Sequence, residues 1–475
     1  MTTKKPTISI GLSVIPLVAM IGLVVVGHLI YEVDLRFILL LSAIIAGIVA
    51  YIAGVKVDQM FDAYSSNIKR AFPVLLILMS IGGIVGTWMY SGTVPYLIYY
   101  GLQLLHPNFV LVSAFVVTAM VSTFTGTSWG SAATSGVAFI GIGASMGIPL
   151  PMVAGAALSG AVFGDKVSPI SDTTNLCSLA SGISVYEHIK GMLPNVIMAG
   201  IISAIGFTIL GMFYSGTNVA GNEVQEILTQ LDGLYNFNLL MLLPAVVVFV
   251  GGYKGFHPVV LMTISSVLAI LVGLFCHGLH PADGAQALFS GFNVSMIGDF
   301  PVSENLQILL NRGGYESMLT GAVLYAILAI AFGSFMEVCG ALDRLMKGML
   351  TFVKKTFHLV VSAFFAGGIL NAVSGNAAFS ILTTGQLFRQ TFEKHGISPK
   401  VLSRSMENSM TLLESLLPWH VTALYMYSVF DVATVDYLPF AFFNISGIVL
   451  FFILAYIETR KSGTANETGN ELKVE

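Results

Sequence analysis

Between residues 152 and 183 an otherwise apolar run is interrupted by Gly164-Asp165-Lys166-Val167-Ser168-Pro169-Ile170-Ser171-Asp172-Thr173-Thr174-Asn175. The flanking pieces, 152–163 and 176–183, are each too short to cross about 30 Å of hydrocarbon alone. Together they read as one interrupted span. A bilayer supplies no water to peptide groups freed by a break, so such a break persists only where it is buried in protein or lines a wet cavity. Ionisable groups at that depth cost roughly 2.5–3.5 kcal/mol each on insertion scales. Asp165, Lys166 and Asp172 fall within eight residues of one another. One reading is a structural ion pair between Lys166 and an Asp that holds two half-helices in register. The other, adopted as the expectation, is an ion and substrate site where freed carbonyls and half-helix ends supply the ligands.

Composition agrees with a membrane setting. Of 475 residues, 55% are hydrophobic and only 10% charged, against roughly 25% charged in soluble domains. The chain is therefore read as an all-α polytopic membrane protein surrounded by lipid. The first apolar segment, 12–31, lacks a following small-residue cleavage site and is succeeded almost at once by another span, so it reads as a retained helix. Cys177, Cys276 and Cys339 have no ligand spacing, which argues against a disulfide framework or a zinc site. No cofactor and no nucleic-acid partner are expected.

In order along the chain, we read an N-terminus (1–10), leading spans (11–71), a first repeat (72–214), linking spans with external loops (215–316), a second repeat (317–457) and a polar tail (458–475) expected to be disordered. The stretches 92–108 and 215–236 carry neither Lys nor Arg and read as connections. The apolar run 109–142 is broken by Thr125-Gly126-Thr127-Ser128-Trp129-Gly130, and 358–388 by Asn371-Ala372-Val373-Ser374-Gly375-Asn376. Both read as re-entrant hairpins with polar tips. A second interrupted span, 401–430, is broken around Glu414-Ser415-Leu416-Leu417-Pro418-Trp419-His420. Alternating sides along this path gathers Lys4, Lys5, Lys56, Lys69, Arg70, Lys190, Lys254, the bases of 344–355 and 389–404, Arg460 and Lys461 on one face. Arg36 and Arg312 fall on the other. The positive-inside rule makes the first face cytoplasmic, with both termini inside a cell membrane and about ten spans plus two hairpins.

The chain also matches itself. At an offset of 249 residues, Val112-Ser113-Ala114-Phe115 falls on Val361-Ser362-Ala363-Phe364, Gly126 on Gly375, Asp165 on Glu414 and Pro169 on Pro418, without a gap. The connection entering the first hairpin lacks bases and its counterpart is rich in them, so the copies should be inverted. Inverted repeats with broken helices meeting near the midplane point to the binding site of a secondary transporter.

The run 164–175, preceded by Gly126-Thr127-Ser128-Trp129-Gly130, resembles the signature of the NhaC-type sodium/proton antiporters, and the similarity extends over most of the chain. The resemblance implies a fold of inverted repeats with hairpins and unwound helices. It implies exchange of Na⁺ for H⁺, or transport of a small organic anion such as malate or lactate, or of an amino acid. A homodimer is compatible with the sequence and not required by it.

Carboxylate, carbonyl and hydroxyl oxygens suit a hard cation such as Na⁺. Asp165, Ser168, Asp172, Thr173 and Asn175, with Thr125 to Ser128 and so Thr127 at the facing tip, are expected around one position, with Na⁺ held by Asp165, Asp172, Thr173 and Asn175. Glu414, Ser415, Asn371, Ser374 and Asn376 are expected at the pseudo-symmetric one. Exchange needs a carboxylate that holds either cation or proton, since each disfavours the other; Asp165, Asp172 and Glu414 are the candidates in that order. Lys166 could release an Asp, carry a proton itself or act as a counter-ion. Glu407, seven residues before Glu414, could line an access path or be a solvated acid at a helix end, and His420 reads as a hydrogen-bonded packing histidine. Gly126-Thr127-Ser128-Trp129-Gly130 also fits the G-x-S-x-G of serine hydrolases, with His420 as the base of that alternative. A passive channel is the other class weighed. The transporter reading is the expectation, with no catalytic residues.

Overall fold

A computed structural model of the protein describes residues 8–169, 171–214, 221–254, 256–298, 300–350 and 356–470. Part of the charge asymmetry, at Lys4, Lys5, Lys354 and Lys355, lies outside the described residues, as does 215–220 of the second base-free stretch. Among the described residues all regular structure is helical. Among the described residues eight helices are long and apolar enough to cross a membrane, or ten where each of two bent pairs is counted as one span.

Several connections are more ordered than the sequence suggested. A single helix, Val57–Tyr90, runs across the division at residue 72 between the leading spans and the first repeat, carries Lys69 and Arg70, and bends by 41° just after Pro73, where a proline removes a backbone donor. The base-free stretches hold helices Thr93–Leu104 and Gly221–Leu234. The long connection before residue 316 holds Pro281–Phe289 and Glu304–Leu310. It closes back on Val57–Tyr90 where Gly314 N donates to Gly82 O at 2.7 Å. Gly313 and Gly314 sit at φ +90° and +88° to make that approach, a region glycine enters without steric cost. In the same connection Arg312 faces Asp431 at 3.4 Å; burial pulls the guanidinium below its ordinary pKa and the carboxylate opposes this. The last helix, Phe442–Asn470, runs on through most of the stretch expected to be disordered. Extending an established helix costs far less than starting one.

The repeat is present in the backbone in the register read from the sequence. In the first copy, helix Val110–Thr125 ends at Gly126 (φ 69°) and Thr127 caps Ser128–Ser131, which continues through Ala132–Gly136 into Val137–Ser145. In the second, Thr356–Ser374 gives way to Gly375 (φ 61°) and Asn376 caps Ala377–Lys394. The broken spans are Leu150–Val167 with Asp172–Ser181, and Pro399–Thr411 with Val421–Phe430. Their starts, Leu150 and Pro399, are 249 residues apart, as are Ser181 and Phe430, and the left-handed residues that follow, Gly182 and Asp431. Even a side-chain tie repeats: Ser122 Oγ donates to Ala161 O at 2.6 Å, and their counterparts Asn371 Nδ2 and Met410 O are joined at 3.4 Å.

Leu150–Val167 is buried along nearly its whole length and packs most closely against Val110–Thr125. Small residues allow this. A Cβ at Gly160 would lie 2.2 Å from Phe115 O, and one at Gly164 2.4 Å from Ala119 O, the small-xxx-small spacing of close helix pairs in membranes. That contact brings the break at the end of Leu150–Val167 against the first hairpin tip.

Candidate functional site

The two tips and the two breaks converge on one cavity of about 910 Å³. The first repeat contributes Thr125 to Gly130 from its tip and Asp165, Ser171, Asp172, Thr173 and Asn175 from its break. The second contributes Gly375 to Ala378, Glu414, His420 and Thr422. Local sequence explains the convergence. Each tip is a glycine in the left-handed region followed by a residue whose side chain caps the next helix, and Asn376 Oδ1 accepts from Phe379 N at 2.9 Å. The first halves of the two broken spans end at Val167 and Thr411, just short of Pro169 and Pro418. Asp165 is buried, and its Oδ2 accepts from Ser128 N at 3.3 Å, tying tip to break. Glu414 is also buried. On one wall Trp129 stacks on Tyr425 with centroids 4.4 Å apart and planes 11° off parallel, and the Tyr425 hydroxyl donates to Trp129 O.

Lys166 does not face this cavity. Fully buried, its Nζ donates to Thr411 Oγ1 at 2.5 Å and to Glu407 O at 3.3 Å, and stands 4.0 Å from Glu407 Oε1. Its carboxylate neighbour is thus Glu407 and neither Asp, so the alternative of a Lys166–Asp pair, weighed above and not adopted, is not the arrangement found. Glu407 is fully buried too, not a solvated acid at a helix end. It accepts from Thr173 Oγ1 at 3.2 Å and lies 3.9 Å from His188 Nε2. Arg70 lines the cavity mouth, half exposed, with Glu337 Oε1 4.0 Å away. Two buried carboxylates therefore face a cavity whose adjacent lysine is already neutralised.

The sequence matches the model of the Na⁺/H⁺ antiporter family at residues 4–178 and 160–458. The chain belongs to the Na⁺/H⁺ antiporter family. An uncharacterised Na⁺/H⁺ antiporter of Haemophilus influenzae is 36% identical, covering 95% of this chain and 96% of that protein. The malate-2H⁺/Na⁺-lactate antiporter of Bacillus subtilis is 34% identical over 90% of each. The Na⁺/H⁺ antiporter NhaC of Alkalihalophilus pseudofirmus is 29% identical over 98% of this chain and all of its own. The family is one of membrane transporters, and this member is a multi-pass membrane protein of the antiporter class.

In this antiporter the expected ligands separate into two groups. Thr127, Ser128, Asp165, Asp172, Thr173, Asn175, Asn376 and Glu414 line the cavity. Asp172 and Asn175 are its exposed members, and the Asn175 amide is spent on Pro169 O and Ser171 O, bracing the break. Ser168, Asn371, Ser374 and Ser415 do not reach the cavity wall. Ser168 is fully buried; Asn371 Oδ1 meets His420 Nε2 at 3.3 Å; Ser374 lies beside Ser380 Oγ at 3.1 Å; Ser415 accepts from Asn444 Nδ2 at 3.0 Å. Asn371, Ser374 and Ser415 brace the second tip and break, while Ser168, on the first break, has no hydrogen-bond partner for its Oγ among the described residues. Ser171, Thr422 and Trp129 line the cavity and were not singled out. Ser171 had a signal in the sequence, since it is the 249-residue counterpart of His420. Both nitrogens of His420 are engaged, Nδ1 accepting from Thr422 N at 3.1 Å, and among the described residues it makes no hydrogen bond to Ser128.

Proposed function

We propose that this antiporter exchanges Na⁺ for H⁺ across the cell membrane by alternating access, with both termini cytoplasmic. The observation that carries the reading is the pairing of Asp165 and Glu414, one from each repeat, on one cavity with the nearest lysine turned away to Glu407. Buried anions without a protein counter-ion require a cation or a proton as partner. Asp165 is the first of the two to hold Na⁺ or H⁺, with oxygens of Ser128, Thr127 and Ser171 within the same wall. Asp172 and Thr173 lie nearer the mouth, where Na⁺ would arrive. The mouth carries Arg70 and His257, on the face rich in bases, which supports an arrangement open to the cytoplasm.

A second reading is coupled transport of a small organic anion or amino acid. The cavity size favours it: about 910 Å³ falls in the range of sites that take small organic ligands and exceeds what a bare ion fills. The relative that exchanges malate and lactate is of the same family.

The test is dissipation of a pH gradient in proteoliposomes on adding Na⁺, Li⁺, K⁺, malate, lactate or amino acids singly, for wild type and Asp165→Asn. Collapse by Na⁺ alone in wild type and not in the variant supports Na⁺/H⁺ exchange. Collapse only when Na⁺ is accompanied by one organic solute makes the second reading correct.

A further inference from the structure

Glu407 lies on the second broken span, yet it touches both sides of the first break. Lys166, two residues before Ser168, stands 4.0 Å from Glu407 Oε1, and Thr173, two residues after Ser171, donates to the same oxygen at 3.2 Å. The break lies between them, after the end of Leu150–Val167 and before the start of Asp172–Ser181. Among the described residues, Ser171 N donates to Ser168 O across it at 3.3 Å. All three side chains sit outside the cavity or at its edge, and both members of the ion pair are fully buried. In the second repeat nothing of the kind exists, since the counterparts of Lys166 and Glu407 are Ser415 and Leu158.

From this geometry we infer that the Lys166–Glu407 pair is a positioning link. It holds the two half-helices of the first break at the separation that presents Asp165 and Thr173 to the cavity, and it ties that separation to the second broken span, which carries Glu414 seven residues after Glu407. Movement of the second broken span then pulls on the first break through the Glu407 carboxylate, and through the Thr411 hydroxyl that accepts from Lys166 Nζ at 2.5 Å. A buried pair of this type is a poor source of stability, because desolvation offsets the attraction, but removing one partner leaves an uncompensated charge. A pair set in so confined a place fits a role in fixing geometry. The inference rests on the Na⁺/H⁺ reading for one of its readouts and is independent of it for the other.

The experiment compares the full-length protein with Lys166→Met/Glu407→Gln, a neutral pair that leaves no buried charge unpartnered and so is the variant able to fold. Glu407→Gln and Lys166→Met alone complete the cycle. The first readout is hydrogen exchange of the amides in 164–176, with 371–380 as the internal control. The second is the Na⁺ dependence of proton movement in proteoliposomes. Expected are faster exchange at the first break with the second tip unchanged, and an apparent KM for Na⁺ raised about tenfold while maximal rate stays within about threefold. Single variants should be worse than the pair, a non-additivity that marks direct coupling. Exchange at the break as slow as in wild type would overturn the inference. Faster exchange with an unchanged KM would also overturn it, reducing the pair to a structural brace. A wild type that moves no protons on adding Na⁺ refutes the Na⁺/H⁺ reading instead, and exchange at the break then decides the link alone.

Discussion

The amide of Ser128 donates to Asp165 Oδ2 at 3.3 Å across 37 positions of sequence. This joins the first hairpin tip to the carboxylate at the end of a helix that nothing else in the local sequence would aim there. Asp165→Asn keeps an oxygen for that bond and removes the charge. Na⁺-dependent proton movement should fall at least about tenfold with protein yield retained, as measured by gradient dissipation in proteoliposomes. Activity near wild type would remove Asp165 from the exchange site.

Glu414→Gln should reduce transport to a similar degree, because Glu414 is the buried counterpart on the same cavity. Asp172→Asn should change KM for Na⁺ by less than about threefold. Asp172 is exposed at the mouth, where solvent screens it. Parallel initial-rate curves for the two variants separate these outcomes.

A carboxylate that holds either Na⁺ or H⁺ sets the sign of the pH dependence. Protonation removes the ligand charge, so apparent KM for Na⁺ should rise as pH falls, approaching about tenfold per pH unit where the site is mostly protonated. Maximal rate at saturating Na⁺ should change less. Initial rates over a grid of pH and Na⁺ concentration measure this directly, and a KM independent of pH would mean the two cations do not compete.

The contact through Gly160 and Gly164 admits no side chain. Gly160→Val would place a Cβ 2.2 Å from Phe115 O, and overpacking of this kind costs about 1–3 kcal/mol or more. The variant should melt at lower temperature in detergent and transport poorly, whereas the same change at Gly11, with nothing within 4 Å, should leave both nearly unaltered.

Tyr425→Phe would remove the hydroxyl that donates to Trp129 O, a carbonyl that also accepts from Ala132 N. Loss of one such hydrogen bond costs about 0.5–1.5 kcal/mol, and the ring stack itself would remain. A lowered melting temperature is expected, read by a thermal-shift assay on the purified protein. A fully stable variant would show that the bond from Ala132 N satisfies that carbonyl.

Much of this arrangement follows from the sequence alone. The gap-free offset of 249 residues placed Asp165 opposite Glu414 and Gly126 opposite Gly375, because a duplicated backbone keeps the residues that its turns and breaks require. Scarcity of charge fixed the membrane setting, since lipid tolerates only helices whose peptide groups are satisfied internally. What the sequence left open were contacts between segments distant along the chain. Lys166 lies beside Asp165 and six residues before Asp172, and local spacing made an Asp its natural partner. Only tertiary packing of the second broken span beneath the first brought Glu407 to its Nζ. The same packing turned Ser168 and Ser415 inward and Ser171 and Thr422 toward the cavity. Periodicity is undefined where a helix unwinds, so direction there is decided by neighbours that only the folded chain supplies.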